Sequence, residues 1–206
     1  MNRVILAGIF FSAMAMVLVS CAPQKPAIER NYFILETYRD QAHHQNVIPG
    51  ALAIRDFSVS PGFQGREMVY RTGKNKVHAD FHNYYFVLPG PMLSQQARSW
   101  FKDAGLFESI IPMSSHLDAD YILEGAVSSI YGDYQVPSQP AGVVAINFLL
   151  LKNTESDFEI VFQKKYRTKN AADGTDAGSI VQALSICIEE ILSLLENDIA
   201  EAMIVQ

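Results

Sequence analysis

The nine residues Val143–Leu151 (VVAINFLLL) are apolar on both sides of a strand repeat, with Asn147 the one exception. A half-buried strand gives every second side chain to water, and this run has almost none to give. It therefore reads as a central strand covered on both faces. A chain holding such a strand needs partner strands beside it and packed layers over it.

Two segments with the helical repeat could supply a layer. Leu93, Ala97, Trp100, Phe101 and Ala104 recur at i, i+4, i+7, i+8 and i+11, one apolar stripe. Pro89-Gly90-Pro91 opens that helix, and Gly105 stands where a left-handed C-cap is expected, with Leu106 and Phe107 folding back. Further on, Ile180, Leu184, Cys187, Ile188, Ile191, Leu195 and Ile199 form a second stripe, and Ser179-Ile180-Val181-Gln182 fits a capping box at its start. Cys187 on that stripe reads as a small buried hydrophobe, since no basic neighbour is in view to lower its pKa.

The remaining periodic segments read as strands. They are Tyr32–Glu36, a run from Leu52, Met68–Arg71, Tyr121–Tyr131 carrying Gly125, and Phe158–Tyr166 with Phe158, Ile160 and Phe162 alternating. The run from Leu52 loses its apolar phase at Arg55-Asp56 and regains it at Phe57 and Val59, which predicts a bulge or strand end near Asp56. After a turn at Thr72–Asn75, Val77, Ala79 and Phe81 alternate with His78, Asp80 and His82, the pattern of a half-buried hairpin. Residues 132–142, with Pro137 and Pro140, read as a long hairpin connection. These elements make a single α+β domain over 32–206, a mostly antiparallel sheet with two main amphipathic helices packed on it.

The start of the chain is a different object. Arg3 is followed by an apolar run from Val4 to Val19, short of the roughly 20 residues a transmembrane helix needs, and no basic stop-transfer cluster follows. Residues 1–20 thus read as a cleaved secretory signal. The run closes on Leu18-Val19-Ser20-Cys21, similar to the lipobox of bacterial lipoproteins, and that resemblance implies a Cys21 acylated through its thiol and amine. Each buried methylene contributes about 0.8 kcal/mol and stable anchoring needs more than one chain, which a multiply acylated cysteine provides. Residues 21–31, polar with Pro23 and Pro26, read as a lipidated tether. Ala22 stands where an aspartate would resemble an inner-membrane retention signal, so the analogy points to the outer membrane, facing the periplasm.

Charge and motifs narrow the function. The 206 residues carry 16 basic and 22 acidic side chains, net −6, which argues against a nucleic-acid binder relying on a general positive field. Two cysteines form no disulfide framework. His78, Asp80 and His82 share one face of a strand, but i and i+4 there lie about 13 Å apart, too far for one metal ion. No GxSxG, HExxH, Walker or dinucleotide pattern occurs, and Glu189-Glu190 read as a solvated helix face. The expectation is a non-enzyme without metal or cofactor.

The order of features carries a resemblance. A lipobox is followed by Tyr32-Phe33-Ile34-Leu35, the Ile54–Val59 strand, Met68-Val69-Tyr70-Arg71, the Trp100 helix leaving through Gly105-Leu106-Phe107, and Tyr121-Ile122-Leu123-Glu124-Gly125. Together these resemble the ABC-type transport auxiliary lipoproteins, typified by PqiC-like proteins. The resemblance implies a non-catalytic component of a transport system for phospholipid or other hydrophobic molecules. Its implied partners are an MCE-domain membrane protein and ABC transporter subunits. A homo-oligomer is compatible with it, and direct lipid binding stays open. The family's polar motif maps to Tyr70 and Arg71, which read either as ordinary strand-end architecture or as a partner contact. The alternative from a different class is an envelope-assembly or structural lipoprotein that aids insertion of outer-membrane components.

Overall fold

The computed structural model describes residues 29–154 and 157–204. The leader 1–20 with Leu18, Val19 and Ser20, the lipidation site Cys21 and most of the tether lie outside the described residues. In chain order the elements are β1 Asn31–Phe33, β2 Ile48–Ile54, β3 Ser58–Val59, a 3-10 turn Pro61–Phe63, β4 Glu67–Gly73 and β5 Lys76–Tyr85. Helix α1 Pro89–Ala104 follows, then β6 Phe107–Ile111, β7 Tyr121–Asp133, β8 Ala141–Asn153, β9 Phe158–Ala171 and α2 Ala177–Ile204.

The spine of the sheet is β7. Along one edge it pairs antiparallel with β8 over its whole length, and β8 pairs antiparallel with β9. Its other edge is shared by three parallel partners in turn: β2 at Tyr121–Leu123, β3 at Ala126–Val127 and β4 at Gly132–Asp133. Beyond these, β6 runs parallel to β2, β5 antiparallel to β4 and β1 parallel to β5. The long pairings are antiparallel as expected. The short parallel ones had no sequence signal, because a two- or three-residue pairing leaves no periodicity to read.

Both helices lie on one face of the curled sheet and share one core. All seven residues of the α2 stripe are at most 1% exposed, as are Leu93, Ala97, Phe101 and Ala104 of α1, with Trp100 at 4%. Gly105 caps α1 in the left-handed region (φ 62°, ψ 26°), its amide donating to the Phe101 carbonyl at 3.3 Å. By length and composition α2 could cross a bilayer, but its apolar stripe is spent on β8 and β9. The capping-box reading is corrected: α2 starts three residues earlier, and Asp176 caps it by accepting the Ser179 amide at 3.1 Å and hydroxyl at 2.7 Å. Aspartate is among the best N-cap residues, and here it takes the amide three residues on.

Two glycines set the closeness of the layers. The phase slip at Arg55-Asp56 is the break between β2 and β3, and there Phe57 turns into the core over Gly125. A Cβ on Gly125 would stand 2.6 Å from that ring, which packs edge-on against Phe148 at 5.6 Å. On β8, a Cβ on Gly142 would stand 2.7 Å from the Leu184 amide nitrogen, so α2 crosses β8 backbone to backbone.

Three further expectations are corrected. Val144, Ile146, Phe148 and Leu150 are at most 1% exposed beneath α2, but on the opposite face only Val143 and Ala145 are fully covered, while Leu149 and Leu151 are half-buried. Val77 and Phe81 are 59% and 64% exposed and Ala79 is exposed too, because the β4–β5 hairpin reaches past the helices that would cover it. A register shift at Val161 sends Phe162 inward and leaves Phe158 and Ile160 outward and exposed.

Replacing Gly142 by alanine should force α2 off β8. The relief of glycine's backbone entropy, under about 1 kcal/mol, is smaller than the overpacking cost of about 1–3 kcal/mol. The urea midpoint should fall, whereas alanine at the unobstructed Gly62 should leave it in place.

Candidate functional site

Between β1 and β2 the chain makes no regular structure, yet residues 34–47 are held tightly. They form a strap along the seam between the two helices. The Glu36 amide donates to Ser185 Oγ at 3.3 Å, the Tyr38 amide to Glu189 at 2.8 Å and Gln41 Nε2 to Ser193 Oγ at 2.9 Å, stepping down α2. On the α1 side, the Thr37 hydroxyl donates to Gln96 at 2.9 Å.

The strap is locked at Glu196, a carboxylate 1% exposed in the core-facing stripe of α2. It accepts from Arg39 Nε at 3.0 Å and Nη2 at 2.8 Å, pairs with His44 Nε2 at 2.6 Å, and accepts from Trp100 Nε1 at 2.7 Å. Strap, α1 and α2 therefore meet on one side chain. The Arg39 side chain, only 4% exposed, spends its remaining donors on the Gln41 and Ala42 carbonyls at 2.7 and 2.9 Å. Burial pushes the Glu196 carboxyl up, but the hydrogen bonds from Arg39, His44 and Trp100 outweigh it and hold the pKa below its ordinary value.

Beside this lock opens a cleft of about 750 Å³. Its floor is apolar, with Ile48, Leu106 and Tyr121 buried, and its rim carries the exposed His43, Lys152 and Asn197. Among the described residues, no serine, threonine, cysteine or aspartate lines it. An apolar floor under a polar, partly cationic rim suits an amphipathic guest, and the one carboxylate present is closed into the strap lock.

The residues singled out in the sequence lie elsewhere. Tyr70 is buried midway along β4, its ring edge-on to Tyr134 at 5.4 Å, and burial with the Asp80 charge nearby pushes its pKa up. Arg71 donates to the Gly73 and Lys74 carbonyls at 3.4 and 3.2 Å and to the Tyr131 hydroxyl at 3.1 Å. Both side chains are engaged within the hairpin and the sheet. Asp80 folds back on its own bulge, accepting from the amides of His82 at 2.7 Å and Asn83 at 3.2 Å. Among the described residues no group of three His, Cys, Asp or Glu side chains is placed to hold a metal. Cys187 is fully buried against the Gly142 carbonyl at 3.3 Å, and burial raises its pKa.

The sequence reading missed the lock itself. Its signal was available, since Glu196 falls four residues after Leu192 and beside Leu195, an acid at an inward position of an apolar stripe. Its partners Arg39 and His44, however, sit in a stretch with no periodicity.

No family model and no curated protein matches the sequence. Solved structures match in fold. The DUF330 protein XCC0632 from Xanthomonas campestris superposes with a TM-score of 0.73 at 16% identity, over 84% of this chain and 96% of that one. An uncharacterized protein gives 0.63 at 14% identity, over 83% and 99%. The hypothetical protein CT253 from Chlamydia trachomatis gives 0.50 at 10% identity, over 72% and 96%. At these identities the likeness is one of architecture.

Removing the Glu196 carboxylate leaves Arg39 buried without its counter-charge, a change that costs about 3–5 kcal/mol, so Glu196→Ala should lower the unfolding free energy by that order. Because the folded-state pKa is depressed, this stabilisation is fully present above the ordinary carboxyl value of 4.5 and is lost as pH falls through the lower folded value. Urea titrations from pH 7 to pH 3, followed by the fluorescence of Trp100, the sole tryptophan, should show that loss in the native chain. It should be smaller in Glu196→Gln, which cannot ionise.

Proposed function

We propose that the chain is a lipid-anchored, non-catalytic auxiliary component of an MCE-type ABC transport system for phospholipid or other hydrophobic molecules. Acylated Cys21 holds it in the outer membrane, and the domain faces the periplasm, where an MCE-domain protein and the transporter subunits are its partners. The observation that carries this reading is the cleft beside the strap lock. Its walls suit an amphipathic molecule, and none of the groups lining it forms a nucleophile with an adjacent base. Such a lining supports a holding role for the site. The ordered resemblance from the lipobox to Tyr121–Gly125 adds to this. Its structural markers are the residues that position the layers: Trp100 on Glu196, Gly105 at the left-handed cap and Gly125 beneath Phe57.

Affinity purification of the full-length protein from detergent-solubilised envelopes should recover an MCE-domain protein, and deleting the gene should shift phospholipid balance and detergent sensitivity. Loss of one particular outer-membrane protein on deletion, with no MCE-domain protein recovered, would instead favour the envelope-assembly alternative.

A further inference from the structure

At the free β1 edge the sheet presents an aromatic face outward. Strand alternation sends Phe33, Leu35 and Tyr85 into the core, so Tyr32, Ile34, Tyr84 and Phe86 point the other way. Tyr32 and Ile34 are 50% exposed and Phe86 59%. The rings form one cluster, Tyr32 lying 6.1 Å from Tyr84 and 6.4 Å from Phe86 between centroids. Two guanidinium groups lie over it, Arg66 at 5.3 Å from the Tyr32 ring and Arg30 at 5.2 Å from the Tyr84 ring. Among the described residues neither arginine makes an ion pair with a carboxylate. The apolar surface continues into Val87 and Leu88, 42% and 47% exposed.

We infer that this face is a docking surface for a phospholipid bilayer, laying the domain against the membrane that carries its anchor. The inference rests on the lipid-anchor reading of Cys21 proposed above. Aromatic side chains with one apolar and one polar end settle at headgroup depth, and a guanidinium pairs bidentately with phosphate. Position agrees with chemistry. Tyr32 is eleven residues after Cys21, so at about 3.3 Å per residue the face lies within roughly 36 Å of the acyl chains. The chain as a whole is acidic, net −6, and an anionic leaflet repels it. A cationic aromatic face beside the tether thus selects one orientation. A second copy of the chain fits this face poorly. A two-fold contact there would bring the arginines of both copies together, and the three-residue β1 offers little edge for strand pairing.

The test uses the full-length acylated protein carrying V87C, on vesicles of phosphatidylethanolamine and phosphatidylglycerol. With Cys21 acylated and Cys187 buried, the introduced cysteine takes a nitroxide label selectively. The label should become markedly more accessible to oxygen than to a water-soluble nickel quencher, while a label on D173C stays aqueous. Adding Y32S and F86S should abolish the difference at position 87 with the protein still floating on vesicles. If the native face floats with position 87 in water, the docking inference falls and the anchor reading stands. If the protein does not float, the anchor reading falls and takes this inference with it. Dipolar broadening between labels at position 87, without lipid contact, would place a second copy there and also overturn the inference.

Discussion

A single buried carboxylate organises the helical layer. Glu196 accepts from Arg39 and Trp100 and pairs with His44, so it joins a strap without regular structure to both helices. Desolvating a carboxylate and a guanidinium is expensive, and their attraction compensates only when the remaining donors are also satisfied. Here they are, because Arg39 also donates to the strap's own carbonyls and so folds the strap around itself. An apolar contact could slide along the groove between the helices. A bidentate pair fixed by a third donor cannot, so the strap has one register.

The sheet beneath is asymmetric, and the asymmetry bears on function. Its helix-facing side is a continuous core running from Leu35 to Ile199. The opposite side has only a small cluster of Val69, Tyr131 and Val143, and toward both ends it leaves large apolar side chains to solvent, Phe86 at one and Ile160 at the other. The β9 edge is guarded by Lys164, Lys165, Arg167 and Lys169, which discourages edge-to-edge pairing. Charged groups along the sheet serve as fasteners. Asp198 holds Lys164 at 2.7 Å and the Tyr166 hydroxyl, tying α2 to β9, and Asp133 holds Lys169 at 2.8 Å.

How much of this was legible depended on whether a feature leaves a period in the sequence. Both helices did, down to the individual residues of each stripe, and so did the break at Asp56 and the long strands. The helix start was misplaced by three residues because Asp176 and Ser179 are both good cap residues and sit three apart. The exposure of Val77 and Phe81 was illegible, since alternation reports that one face differs from the other and not that a layer exists to cover it. The lock was half legible. Glu196 breaks an apolar stripe, but its partners Arg39 and His44 are distant in sequence, and a contact across more than 150 residues has no local signature.

On the proposed reading the domain works through a cleft and an outward sheet face and is held at a membrane by lipid on Cys21. The most direct measurement is the mass of the N-terminal peptide of the protein isolated from envelopes. The account predicts that residues 1–20 are gone and that Cys21 carries a thioether-linked diacylglycerol and an amide-linked acyl chain. An unmodified Cys21 thiol, with the leader still attached or cut at another position, would contradict it.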